Sequence, residues 1–385
     1  MAEPRVEVVC EGGPREMGVA QGSALRERIQ GAREVLRELD AVRKQRTWWV
    51  PWGVFLGLAE RKAEGMLGEA LSEHAPEMAQ RLAGIAEGAG VSPAALCLLN
   101  AAEVLLSSVR DVTAVPPAMA CSAVAVRGRR SATGEPIIAH NFDYVPLVQP
   151  FYVLRESRPS GGLRSLDFTV APLCGAVDGM NERGLCIAMN YAFPVDSGPV
   201  GVANSMVIAE ALARCGTAAE AVDWIVSRPR WGGALLMLAD EAGDIASVEL
   251  SNTRSAVRRP AEGQDVLFHT NHFSTPSMLD VDVPRSAVFT EKAPDALVGL
   301  RVLESSGKRA ARLAELLPQI ERFGQAELTR VMSDHGPAGT PDATTLCMHS
   351  NYWQTTACLQ WLPSSRRLRA SYGTACSAVF REFAL

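Results

Sequence analysis

The sequence predicts a layered α+β protein, and three observations carry that expectation. As far as Val115 the chain places apolar residues mainly at helical spacing, and Val115-Pro116-Pro117 then interrupts regular structure. Beyond the prolines, short alternating runs joined by turn residues take over. Strands come first, then helices, then strands again, with hairpin links. That order suits sheets covered by helices better than a wound βαβ sheet.

In chain order, Met17 to Leu39 repeats apolar residues at helical spacing, with Arg and Glu on the other faces. Ala59 to Gly88 continues in the same style. Ser92-Pro93-Ala94 offers a capping serine with proline at the first helical position, opening a helix through Leu98-Leu99-Asn100-Ala101 to Ser108. Between these helices lies Trp48-Trp49-Val50-Pro51-Trp52, expected to pack rather than to line a pocket. Past the prolines, Ser122–Arg127 and Pro136–Phe142 form a hairpin around the turn Gly128–Gly134. Further strands are expected at Leu166–Ala171, Gly184–Tyr191, Ala234–Ala239 and Ile245–Leu250. Glycine-bearing turns at Asn181–Gly184 and Asp240–Asp244 separate them. Helices return at Asn204–Arg214, Ala218–Val226, Lys308–Leu316 and Gln325–Ser333. Strands at Thr356–Leu362 and Leu368–Tyr372 close the chain. No internal repeat or low-complexity segment interrupts this order.

Composition narrows the function. The 385 residues are 47% hydrophobic and 21% charged, enough apolar material for a large core. A net charge of −5 carries no basic patch, which argues against nucleic acid as a partner. No apolar run reaches the ~18 residues of a membrane span. Met-Ala-Glu-Pro-Arg-Val-Glu at the start lacks the order of a secretory signal, so a cytoplasmic protein is expected. The nine cysteines form no CxxC pair, so no metal site and no disulfide framework is expected.

Cys121 stands apart from the other cysteines. It heads a strand-like run after small residues, with Asn141-Phe142-Asp143 one hairpin later. A nucleophilic cysteine needs its thiolate, hence a base or a lowered pKa. Nothing in the sequence pairs any of the six histidines with it. A cut between Ala120 and Cys121 would supply a base directly, because a free α-amine titrates near ~7.7–8.0. Oxyanion donors would still be needed, and Asn141, Asn190 and Asn271 are candidates that also suit turns and strand ends.

Five segments together resemble the acyl-coenzyme A:6-aminopenicillanate acyltransferase family (peptidase family C45) of N-terminal nucleophile hydrolases. They are Gly13–Gly18 with Gln21-Gly22, Cys121-Ser122-Ala123, Asn141-Phe142-Asp143, Gly179–Leu185 with Asn190-Tyr191, and Thr270-Asn271-His272-Phe273. The resemblance implies a four-layer αββα fold, made as a precursor and cut at Ala120–Cys121. Residues 1–120 would form a mainly helical fragment and 121–385 the catalytic one, together a single domain. It implies Cys121 as nucleophile, Asp143 holding its amine and Asn271 as oxyanion donor, with Asn190 and the Tyr144 backbone contributing. No cofactor is implied beyond acyl-coenzyme A as a possible co-substrate. The partners would be a small amide, amine or acyl thioester, with homo-oligomerisation left open.

Two departures bear on substrate. His140 stands two residues before Phe142, where the bile-salt and penicillin V branch has arginine. In Thr345-Leu346-Cys347-Met348-His349, methionine replaces the arginine of the acyltransferase pattern. The first argues against that branch and the second against a penicillin-like carboxylated substrate, leaving His140, Arg285 and His349 as candidate substrate contacts. The competing readings are an enzyme of the same fold that works unprocessed or degrades a different amide, and a noncatalytic or partner-binding descendant using the Trp48–Trp52 region. A metal site on His269 and His272 is a weaker one, because their surroundings read as strand.

Overall fold

The computed structural model describes residues 4–109, 113–114 and 120–385. The Val115-Pro116-Pro117 boundary therefore lies outside the described residues. An edge strand, β1 (Val6–Gly12), precedes seven helices: α1 (Pro14–Ala24), α2 (Arg26–Val35), α3 (Asp40–Arg43), α4 (Trp52–Ala63), α5 (Glu69–His74), α6 (Pro76–Ala89) and α7 (Pro93–Val109). The expected Met17–Leu39 helix is two, broken at Leu25, which leaves the helical region (φ −112°, ψ 19°). The Ala59–Gly88 stretch is likewise divided. Ala75 is extended in φ (−147°) because a following proline disfavours the helical conformation, and α6 starts at Pro76. Ser92 caps α7 as expected, its Oγ accepting from Ala95 N at 3.1 Å.

Strands then alternate with a helical pair: β2 (Ser122–Val126), β3 (Ile137–Tyr144), β4 (Tyr152–Pro159), β5 (Ser165–Val170), β6 (Asp178–Asn181), β7 (Cys186–Ala192) and β8 (Val202–Ala203), then α8 (Asn204–Arg214) and α9 (Ala218–Ser227). The second half continues with β9 (Arg230–Trp231), β10 (Gly233–Ala239), β11 (Ile245–Leu250), β12 (Ser255–Arg258), β13 (Val266–His269), α10 (Glu304–Leu316), α11 (Gln325–Met332), β14 (Gln354–Leu362), β15 (Arg367–Tyr372) and β16 (Arg381–Ala384). Helix α9 opens with a capping box in which Thr217 Oγ1 accepts from Glu220 N, a locally encoded start.

Two sheets face each other. The larger runs β1-β4-β5-β6-β7-β10-β11-β12, and the smaller runs β13-β2-β3-β14-β15-β16. All their pairings are antiparallel except β1 with β4. Helices α1, α8 and α9 contact the larger sheet, and α10 and α11 contact the smaller. Strands β2, β6, β7, β10 and β11 are buried at every position, as sheets covered on both faces require. This is the αββα sandwich. Between the sheets, Phe142 packs edge-on against Phe168 and Tyr152 at 5.3 and 5.5 Å, and Tyr152 meets Tyr372 at 5.6 Å.

The N-terminal helices pack closely through glycine. A Cβ on Gly18 would lie 2.1 Å from Arg81 O, and one on Gly84 would lie 2.2 Å from Arg15 O. Gly18 with Gly22, and Gly84 with Gly88, therefore let α1 and α6 approach backbone to backbone. Gln21 fastens α1 to the sheet layer, donating to Ala171 O and Leu173 O and accepting from Arg155. The tryptophan cluster does not pack as a unit. Trp48 and Trp49 are 85% and 68% exposed, while Trp52 stacks under Arg46 and meets Phe55. Among the described residues, no single helix is long and apolar enough to cross a membrane.

Candidate active site

Cys121 lies immediately before β2 and is fully buried. Its Sγ is 3.8 Å from the backbone oxygen of Asp143, and Ala120 N donates to the same oxygen at 2.9 Å. Burial, and then the Asp143 charge, push the thiol well above its ordinary range. A resting thiolate is thus disfavoured, and a proton acceptor must accompany any attack by this sulfur.

Asp143 sits on β3 opposite Thr355 of β14. Its Oδ1 accepts from Thr355 Oγ1 at 2.6 Å, while its buried Oδ2 accepts no hydrogen bond among the described residues and lies 4.0 Å from Arg309 Nη1. Burial raises this carboxyl to about 7, with Arg309, Thr355 and His140 pulling it down. Met348 N donates to Thr355 Oγ1 in turn, so the loop before β14 positions Asp143 through Thr355.

Arg309, on α10, holds the centre together. Its guanidinium donates to Cys121 O at 2.5 Å, Ser122 Oγ at 2.8 Å and Asn271 Oδ1 at 2.9 Å. Burial lowers its pKa, and Asp143 and Cys121 oppose that shift. With Oδ1 engaged by Arg309, Asn271 presents Nδ2 as a donor, one hydrogen going to Tyr191 O at 2.9 Å. Ser306 Oγ accepts from Asn271 N and lies 2.7 Å from His272 Nδ1. His272 is lowered to about 4, by burial first and then by Arg285, Arg309 and Arg258, so it stays neutral.

The expected site residues divide into groups. Cys121, Asp143 and Asn271 share the Arg309 network. Asn190 is next to it, donating to Thr270 O at 2.9 Å and leaving its buried Oδ1 without a hydrogen bond. Tyr144 ends β3 stacked on Phe142 at 5.2 Å. His140 is buried between the sheets with Nδ1 2.7 Å from Asp178 Oδ2, an oxygen that also accepts from Trp361 Nε1. Arg285 is exposed, and its charge acts on His272. His349 lies with its Nε2 3.3 Å from Cys347 Sγ. His269 Nδ1 meets Ser247 Oγ and His272 Nδ1 meets Ser306 Oγ, and among the described residues neither histidine joins a group of three or more potential metal ligands.

Sequence reasoning did not find Arg309, Thr355 or Ser306. One signal for Arg309 exists. Ser306, Arg309 and Leu313 are the buried positions of α10, spaced three and four apart, so a charge occupies the helix's inward stripe. An apolar cavity of about 150 Å³ adjoins the network, lined by Leu36, Leu99, Phe142, Tyr144, Met189 and Tyr191 among others. Phe142 and Tyr144 flank Asp143 in sequence, and Tyr191 follows Asn190.

Comparison with known proteins adds to this picture. A family model described as acyl-coenzyme A:6-aminopenicillanic acid acyl-transferase matches residues 130–372, more than half of the chain. The matched stretch contains Asp143, Asn190, Asn271 and Arg309, whereas Cys121 precedes it. No curated protein matches the sequence. Solved structures similar to it include the Caenorhabditis elegans ortholog of N-acylethanolamine-hydrolyzing acid amidase, 15% identical with a TM-score of 0.43, covering 63% of this chain and 93% of that one. Penicillin V acylase from Agrobacterium tumefaciens is 15% identical with a TM-score of 0.40, over 69% and 86%. A C2A mutant of the conjugated bile acid hydrolase from Clostridium perfringens is 12% identical with a TM-score of 0.37, over 69% and 97%.

Proposed function

This chain belongs to the acyl-coenzyme A:6-aminopenicillanic acid acyl-transferase family, and on that premise we propose that it is a self-processed cysteine enzyme moving an acyl group from an amide or thioester to an amine or water. The observation that carries the reading is the convergence of Asp143, Arg309 and Asn271 on the buried Cys121. Three polar groups gathered about one buried cysteine are costly to bury unless they serve it.

In processing, Cys121 Sγ attacks the Ala120 carbonyl carbon, and the thiol proton passes to the departing nitrogen. Water then cleaves the thioester, freeing the Ala120 carboxylate and the Cys121 amine and thiol. In turnover the free amine takes the thiol proton, and the thiolate adds to the substrate carbonyl. The second N–H of Asn271 Nδ2 and the Tyr144 backbone hold the developing oxyanion. The Cys121 ammonium protonates the leaving amine, giving an acyl-thioester that water or a second amine resolves with the amine again as base. Asp143 Oδ2, which accepts no hydrogen bond, is the acceptor available to that ammonium. The cavity beside Tyr144 and Tyr191 receives the acyl group. At about 150 Å³ it matches a cavity that accepts a benzene-sized guest.

No cofactor takes part in this scheme, and acyl-coenzyme A would act as an acyl donor. Intact-mass measurement of the purified protein tests it. Fragments 1–120 and 121–385 are expected from the wild type, and a single full-length mass from Cys121→Ala. A wild-type chain that stays whole on long incubation, with Cys121 inert to an alkylating probe, would refute both processing and nucleophile.

A further inference from the structure

Away from the Arg309 network, three separate segments bring two thiols and two imidazoles together. His335 follows α11, Cys347 and His349 lie in the loop before β14, and Cys376 lies in the turn between β15 and β16. One ligand atom from each of the four lies within 4.8 Å of all the others. His349 Nε2 is 3.3 Å from Cys347 Sγ and 3.5 Å from Cys376 Sγ. Cys376 N points at Cys347 Sγ from 3.4 Å, and the buried Nε2 of His335 has no hydrogen-bond partner among the described residues.

We propose that His335, Cys347, His349 and Cys376 bind one tetrahedral metal ion, zinc by their donor chemistry. Two sulfurs and two imidazole nitrogens are a usual structural zinc set. Metal–ligand bonds of about 2.0–2.3 Å give tetrahedral edges of about 3.3–3.8 Å. The two sulfur–nitrogen separations at His349 already fall there, and the remaining ones need to close by no more than about 1.5 Å. Four protein ligands leave no open position for substrate, so the ion is structural.

Its place in the fold gives that ion a second effect. Leu346 O accepts from Asn141 Nδ2 at 2.9 Å, and Met348 N donates to Thr355 Oγ1, the hydroxyl that donates to Asp143. Cys347, between Leu346 and Met348, is a ligand, so the ion clasps the loop that positions Asp143. The sequence expectation of no metal rested on the absence of a CxxC pair. Here the ligands come from three segments that only tertiary packing joins.

The site does not depend on Cys121 acting as a nucleophile. Untagged protein, purified under reducing conditions, loaded with zinc sulfate and dialysed, is expected to keep one zinc per chain by elemental analysis. Cys121→Ala should keep it too, which separates this site from the nucleophile. Cys376→Ser, at an exposed position, and His335→Ala should each bind zinc at least roughly tenfold more weakly. Cobalt in place of zinc should give the visible bands of a tetrahedral ion and a thiolate charge-transfer band. The proposal is overturned by substoichiometric zinc in the loaded wild type, by zinc affinity in Cys376→Ser and His335→Ala equal to that of the wild type, or by a Cys347–Cys376 disulfide in metal-free protein.

Discussion

Asp143→Asn is expected to stabilise the uncut chain at neutral pH and destabilise it in mild acid. The carboxyl is fully buried and raised to about 7, chiefly by burial. An exposed aspartate titrates near ~3.9, so the difference is about three units, or about 4 kcal/mol at about 1.4 kcal/mol per unit. The folded pKa lies above the unfolded one, so the folded state binds the proton more tightly. Its stabilising contribution is complete below about pH 4 and is lost as pH rises through about 7. Asparagine does not titrate, and its Oδ1 can still accept from Thr355. Its Nδ2 replaces an oxygen facing Arg309 and finds no acceptor, at a cost of about 1–3 kcal/mol. The variant should therefore be about 1–3 kcal/mol less stable near pH 4 and about 1–3 kcal/mol more stable near pH 8. Denaturant midpoints of Cys121→Ala and Cys121→Ala/Asp143→Asn, at constant ionic strength across that range, measure the difference on an uncut chain. A difference that does not vary with pH would refute the reasoning, because Asp143 would then not titrate in this window.

Arg309→Met removes the donor shared by Cys121 O, Ser122 Oγ and Asn271 Oδ1. Processing should slow by roughly 10²–10³-fold on a denaturing-gel time course, and the melting temperature should fall, because Asp143 loses its nearest cation. Arg309→Lys should retain part of both properties. Gly84→Ala puts a methyl group 2.2 Å from Arg15 O and should lower stability by at least about 1–3 kcal/mol through separation of α1 and α6, read as a lower unfolding midpoint. Val148→Trp, on a half-buried cavity residue, should leave processing intact while lowering kcat/KM for larger acyl groups by roughly 10-fold or more relative to small ones, checked with an amide series.

Much of the fold was legible where local chemistry encodes it. The Asn204–Arg214 helix, the Ser92 cap and the hairpin into Asp143 all carry short-range signals. Strand β1 did not, because its sheet partner among the described residues is β4, more than a hundred residues away, and Val6 and Val9 remain 41% and 43% exposed. The Met17–Leu39 pattern hid a break because Leu25 continues the apolar spacing even as its backbone leaves the helix. Trp48 and Trp49 show the opposite failure. Aromatic character suggested packing, yet among the described residues those side chains stay 85% and 68% exposed.

By itself the sequence determined the alternation of helix and strand, and it singled out Cys121. The resemblance of short segments to one family is what put Asp143 and Asn271 beside it as expectations. Only the tertiary structure decided what joins them. Arg309 reaches Cys121 O because α10 packs against β13, the strand paired with β2, and Thr355 reaches Asp143 because β14 pairs with β3. The His335, Cys347, His349 and Cys376 cluster exists for the same reason. Contacts between residues far apart in the chain depend on layer packing and strand register, which no local pattern of residues records.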